Sequence, residues 1–228
     1  MNNKSIIELK NLCFAYEQHV ALRYITIDIK RGETIALQGD NGCGKSTLLK
    51  ILNGILFANE GEYLFEGRPI TEKSLKDNSF AKYFHQKIGF VFQNADIQLF
   101  CGSVEEEIAF GPMQMGLSRE EVAKRVDDVI ALIGIEHLRN RPPYHLSGGE
   151  KRKVAIACIL SMNPDVLVLD EPLAGLDKKS RQWLLDFLLQ LKKAGKTMIF
   201  ATHDDNLATL LSDRIIDINE RHEIGSIK

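Results

Sequence analysis

The sequence predicts an α/β fold with a helical insertion, on three observations. An apolar strand candidate, Thr34–Gln38, runs through a glycine-rich loop into a helix candidate at 46–52. The last third alternates again: a buried-strand run Val166-Leu-Val-Leu169, a helix at 180–194, a strand Met198-Ile-Phe200 and a final strand at 215–218. Strand, helix, strand in that order implies parallel pairing. Between these segments, 104–110 and 119–133 carry apolar residues at helical spacing with charges between them.

In chain order, 6–16, 24–30 and Thr34–Gln38 alternate or cluster apolar residues between polar turns. Tyr63-Leu-Phe65 is a short strand between turns at Glu60-Gly61 and Glu66-Gly67. The polar stretch 71–86 is a surface loop or a short helix, and Ile88-Gly-Phe-Val-Phe92 is another strand. In the helix at 119–133, Val122, Val126, Val129, Ile130 and Ile133 form one stripe, and Ser118 with Glu121 fits a capping box. No internal repeat, low-complexity segment or long linker divides the chain. That predicts one domain over 1–228, with its core at about 1–92 and 163–228 and the helical insertion at about 94–162.

Composition narrows the function. The 228 residues suffice to bury a core, and 44% hydrophobic with 26% charged residues are ordinary globular values. Lys+Arg 29 against Asp+Glu 31 gives a net charge of −2, which weighs against a dedicated nucleic-acid binder. Cys13, Cys43, Cys101 and Cys158 lack C-x-x-C spacing and read as buried fillers or incidental thiols in a reducing compartment. The polar start Asn2-Asn-Lys-Ser does not resemble a signal peptide, and no apolar run approaches a membrane span. If the protein works at a membrane, another chain is expected to supply the span.

The loop Gly39-Asp40-Asn41-Gly42-Cys43-Gly44-Lys45-Ser46 matches G-x-x-x-x-G-K-[ST] at every fixed position. Its glycines allow successive backbone N–H groups to converge on phosphate oxygens, and the following helix, opening through Thr47, adds its positive end. Lys45 is expected to reach the β- and γ-phosphates, and the Ser46 hydroxyl to bind Mg²⁺. Asp170 and Glu171 end the strand that starts at Val166, where α/β sheets place ligands. Asp170 suits a Mg²⁺ role, and Glu171 can polarise an attacking water as general base. These residues predict a nucleoside-triphosphate site that works with Mg²⁺.

Leu146-Ser-Gly-Gly-Glu150, opening a helix between those two motifs, resembles the signature of the ATP-binding-cassette (ABC) ATPases. The resemblance covers the chain from Leu9 to about Ile218. It implies a P-loop NTPase (RecA-like) core with an N-terminal antiparallel β subdomain and an inserted α-helical subdomain. It also implies two chains packed head to tail, each placing Ser147, Gly148 and Gly149 over the γ-phosphate held by the other. By the same resemblance, Tyr16 is the adenine platform and Gln93 senses Mg²⁺ and water. Asp177, in Ala174-Gly-Leu-Asp177, communicates across the dimer, and His203 is the switch histidine facing the γ-phosphate.

The text Phe92-Gln-Asn-Ala-Asp-Ile-Gln98-Leu-Phe100, then Ser103 to Pro112, is similar to the ATPases of energy-coupling-factor importers, the cobalt, nickel, biotin and vitamin group. Ala95 and Asp40 stand where that pattern often has Pro, and Glu150 where many cassettes carry Gln. The sequence given ends at Lys228, whereas many members continue into a C-terminal dimerisation segment, so dimer persistence without ATP stays open. The resemblance implies a peripheral ATPase on the cytoplasmic face of the cell membrane. Its partners are integral membrane transporter subunits and a second, identical or related, ATPase; it binds no nucleic acid and does not touch the cargo. An exporter or lipoprotein-release ATPase, and a non-transport mechanical ATPase, remain alternatives.

Overall fold

A computed structural model describes residues 5–228; the polar start at 1–4 lies outside the described residues. Among the described residues the strands form two sheets. The smaller is antiparallel, in the order β2-β1-β4-β5, built from β1 (Ser5–Tyr16), β2 (His19–Lys30), β4 (Glu60–Phe65) and β5 (Arg68–Pro69). It buries one face, including Ile7, Leu9, Leu12, Ile25, Ile27 and Phe65. β2 begins five residues earlier than its alternation suggests. Register irregularities around Leu12 and Phe14, with Tyr24 at φ 49°, break the two-residue period there.

The larger sheet has the order β10-β9-β3-β8-β7-β6. β3 (Thr34–Gln38), β6 (Ile88–Val91), β7 (Val166–Asp170), β8 (Thr197–Ala201) and β9 (Arg214–Ile218) are parallel, and β10 (Ile224–Ile227) closes the edge antiparallel. β6, β7 and β8 are buried at every position, which is why they read as continuous apolar runs. The parallel order delivers the C-terminal ends of β3, β6, β7 and β8 to one edge.

Helix α1 (Lys45–Leu52) lies between the sheets, its Leu48, Leu49, Ile51 and Leu52 packing with residues of both. On the other face of the larger sheet, α3 (Val104–Gln114), α4 (Arg119–Ile133) and α5 (Gly148–Ser161) pack together with α6 (Lys178–Lys193) and α7 (Asp205–Leu211). Ile108, Val126 and Ile156 from the helices join Leu167, Leu169 and Phe200 from the sheet in one apolar core. α4 has the predicted capping box and ends on Gly134 at φ 72°.

The polar stretch after β5 contains a ten-residue helix, α2 (Asn78–Lys87), capped by Asp77 and burying only Phe84. One anchor on an otherwise polar helix leaves little periodic signal. α7 and β10 leave as little trace in the sequence: the helix is two turns long and the strand is a mostly exposed edge.

Candidate nucleotide site

Gly39, Gly42 and Gly44 adopt φ of 129°, 84° and 116°, backbone that L side chains rarely reach. At Gly39 a Cβ would lie 2.1 Å from the Ile218 carbonyl oxygen, and at Gly44 2.2 Å from that of Ala21. The loop is therefore wedged between β9 and β2. Lys45 is buried at 7% exposure, its ammonium donating to the carbonyls of Gly39 (2.6 Å) and Asp40 (3.0 Å), which holds it across the loop.

The loop forms one wall of a cleft of about 500 Å³. Gly39, Asp40, Asn41, Gly42, Gly44, Lys45, Ser46 and Thr47 line it together with Gln93, Asp170, Glu171 and His203. Cys43 faces away, at 3% exposure. The Ser46 hydroxyl donates to Asp170 Oδ1 at 3.2 Å. Burial pushes the Asp170 carboxyl above its ordinary range and Glu171 adds to this, while the Ser46 bond and the Lys50 and Lys45 charges pull it down.

Glu171 lies just past the strand end at φ 45°, a left-handed backbone that is costly for a non-glycine residue. Its N–H still donates to the Ala201 carbonyl (3.1 Å), while its carboxylate meets His203 Nδ1 at 3.0 Å. Such local strain commonly marks a side chain that must be aimed.

The residues present fit Mg²⁺. That ion takes oxygen donors and is usually bound by one or two carboxylates plus substrate phosphates. Ser46, Asp170 and Gln93 offer a hydroxyl, a carboxylate and an amide oxygen on one cleft. No group of three or more His, Cys, Asp or Glu among the described residues could hold a metal.

The cleft does not include the remaining sequence-predicted residues. Tyr16 is 43% exposed, its ring edge-on to Phe14 and its hydroxyl 3.4 Å from that of Thr47, so it borders the loop from the small sheet. Ser147 caps α5 through a full capping box: its N–H and hydroxyl donate to Glu150 Oε2 at 2.8 and 2.7 Å. These bonds hold the Glu150 carboxyl below its ordinary range. Gly149 packs against the N-terminus of α6, where a Cβ would fall 2.1 Å from Ser180 Oγ and 3.4 Å from Asp177 Oδ2. Asp177 caps that helix, accepting from the Lys179 and Ser180 amides at 2.9 and 3.0 Å. Gly148 has open space around it.

Arg152 is a further residue of the site. At 4% exposure it donates through Nη1 to the Phe92 carbonyl (2.6 Å) and through Nη2 to that of Gln93, tying the Gln93 loop to α5. Burial lowers its pKa, partly offset by Asp170. The only sequence hint is its place in the basic run Lys151-Arg-Lys153 near the start of an otherwise apolar helix.

A family model described as ABC transporter matches residues 22–174. The chain belongs to this family. It is an ATP-hydrolysing transporter subunit, of the kind whose members bind ATP, pair and work with membrane subunits. The nickel import ATP-binding protein LarO of Lactiplantibacillus plantarum is 44% identical, over 97% of this chain and 92% of the relative. Relatives named energy-coupling factor transporter ATP-binding proteins match as well, at 45% and 46% identity, which supports the importer-group resemblance. The solved structure of cbiO1 from Clostridium perfringens, part of the ABC transporter complex cbiONQ, superposes with a TM-score of 0.85 at 39% identity, covering 98% of this chain and 88% of that one. The ATP-binding cassette MJ0796, solved as a dimer bound to ADP and Pi, gives 0.85 at 30% identity with 97% of each chain covered. No helix among the described residues is long and apolar enough to cross a membrane.

Proposed function

We propose that this chain is the ATPase of an importer for a metal ion or vitamin, and that it sits on the cytoplasmic face of the membrane against a separate membrane subunit. Lys45 and the backbone of 39–46 hold the phosphates, Tyr16 faces the adenine, and Ser46, Asp170 and Gln93 hold Mg²⁺. When bound, the ion would neutralise the phosphate charge. Glu171 accepts the proton of the attacking water, and His203, hydrogen-bonded to it, keeps that carboxylate aimed at the γ-phosphate side. Two chains pair head to tail. Ser147, Gly148 and Gly149 then close the partner's γ-phosphate site, and Asp177 lies at the seam.

One observation carries the coupling role. Directly after the Gln93 loop, a cleft of about 420 Å³ opens between α2 and the insertion, lined by Gln98, Phe100, Phe110, Met115, Cys158 and Ile159 among others. Phe100 and Phe110 stand 68% and 42% exposed, edge-on at 5.0 Å. A short apolar helix of the membrane subunit fits this cleft. Asp96, Gln98 and Leu99, just after Gln93, already have partners within the chain. In the structure Asp96 pairs with Lys151 at 2.6 Å, Gln98 bonds the Phe92 amide and the Ala155 carbonyl, and Leu99 packs on the insertion core. The apolar contacts therefore fall to Phe100 and Phe110.

The test is Phe100→Ala with Phe110→Ala in vesicles reconstituted with the co-purifying membrane subunit. Basal ATPase of the isolated chain should stay near wild type while uptake falls roughly tenfold or more, as expected when central aromatic anchors are truncated. Unchanged uptake would sink the docking assignment.

A further inference from the structure

The turn between β9 and β10, none of whose residues lines the cleft, reaches the phosphate loop at Gly39 and Cys43. At its start the Ile218 carbonyl lies where a Gly39 side chain would be. At its end His222 Nδ1 lies 3.1 Å from the Cys43 carbonyl oxygen. A carbonyl only accepts, so the imidazole donates through Nδ1–H. The turn is fixed on both sides. Asn219 Oδ1 accepts from the Arg221 and Glu223 amides at 2.9 and 3.2 Å, and the His222 carbonyl accepts from the Arg23 amide of β2 at 2.8 Å. His222 itself stands at φ 64°, where Asn and His are tolerated better than most residues.

The consequence lies in the geometry of one peptide. No peptide bond among the described residues is cis, so the Cys43 carbonyl and the Gly44 N–H point in opposite directions across one plane. Holding that carbonyl toward His222 turns the Gly44 N–H toward the other side of the loop, which is the cleft that Gly44 lines. Gly44 has φ 116° and no side chain, α1 has no side-chain cap, and the neighbouring bonds, from the Cys43 amide to the Asp40 carbonyl (3.2 Å) and from the Leu48 amide to the Gly44 carbonyl (2.9 Å), use neither group of that peptide.

We propose that His222 is a positioning residue for the nucleotide: it orients the Cys43–Gly44 peptide so that the Gly44 N–H faces a phosphate oxygen. This rests on the reading of 39–46 as the phosphate site. A donor set by the fold holds ground state and transition state alike, so its loss appears in KM and not in kcat.

The experiment uses two substitutions that both accept the left-handed backbone. His222→Gly removes the donor. His222→Asn puts an amide nitrogen at the position of Nδ1. The Gly variant should bind MgATP and MgADP roughly tenfold more weakly, with KM raised by the same factor and kcat nearly unchanged. The Asn variant should recover most of that loss. A wild-type KM in the Gly variant, whatever its melting temperature, would overturn the proposal, and so would an Asn variant as weak as the Gly one. Lys45→Ala, measured beside them, tests the underlying site: normal MgATP binding there would overturn the phosphate-loop reading itself.

Discussion

Both α1 and α5 begin on glycine-rich loops, yet their first turns are completed in different ways. At α1 the cap residue is Gly44, with no side-chain hydrogen bond to the first turn, so its orphan N–H groups face the cleft. The loop is pressed on both sides by backbone, Ile218 at Gly39 and Ala21 at Gly44. At α5 Ser147 and Glu150 already satisfy two donors of the first turn, and a Cβ at Gly148 would meet nothing within 4 Å. One loop is braced from behind and offers its donors inward. The other is content as a helix end and leaves its outer surface free. Of the two, the first alone offers free donors to a cleft of its own chain, and that asymmetry suits the proposed ATPase closed by a second copy.

The largest effect separates holding the nucleotide at the first loop from reacting with it. Glu171→Gln should keep MgATP binding and lose roughly 10²–10⁴-fold in turnover, the range for a lost general base. Lys45→Ala should lose binding as well, since its charge serves ground and transition state together. Single-turnover hydrolysis and equilibrium binding on the same preparations check both. Wild-type turnover in Glu171→Gln would remove Glu171 from the chemistry.

Next comes the bracing itself. Gly44→Ala combines a forbidden φ with a 2.2 Å approach to the Ala21 carbonyl, and should cost about 3 kcal/mol or more in urea unfolding. Gly148→Ala, with open space and helical backbone, should fall within about 0.5 kcal/mol of wild type. Its effect should instead appear as weaker ATP-dependent pairing on a sizing column. Equal stability of the two variants would erase the contrast between the loops.

Much of this was legible in the residues. The glycine positions and the strand before them specify the first loop almost completely, because few residue types adopt that backbone. The apolar run ending in Asp170-Glu171 specifies a buried strand with its acids at the ligand edge. The parallel order of β3, β8 and β7, which sets these loops side by side, follows from strand–helix alternation only as a class of topology. Arg152 and His222 escaped because each acts through backbone carbonyls of a distant segment, and a carbonyl carries no residue identity. α2 stays open between loop and short helix in the sequence because a helix with one buried side chain has no period to read. Glu150 looks like a departure in sequence; in space it is the acidic half of a capping box, a role that its spacing of three from Ser147 already allows.

The smallest effect addresses where the second loop acts. In a pair of identical chains, one carrying Lys45→Ala and the other Ser147→Arg, head-to-tail packing joins the intact loop of the second to the intact signature of the first. The opposite site carries both lesions. Neither variant alone can build a sound site, whereas random mixing makes roughly half of the pairs mixed, each with one. ATPase activity of the mixture should therefore exceed the average of the separate preparations by a few-fold and never reach wild type. The gain should vanish on dilution below the concentration at which the pair forms, because it depends on association and not on either fold. Activity equal to the average of the two, at every concentration, would mean that Ser147 serves the loop of its own chain. The free surface at Gly148 would then need another explanation.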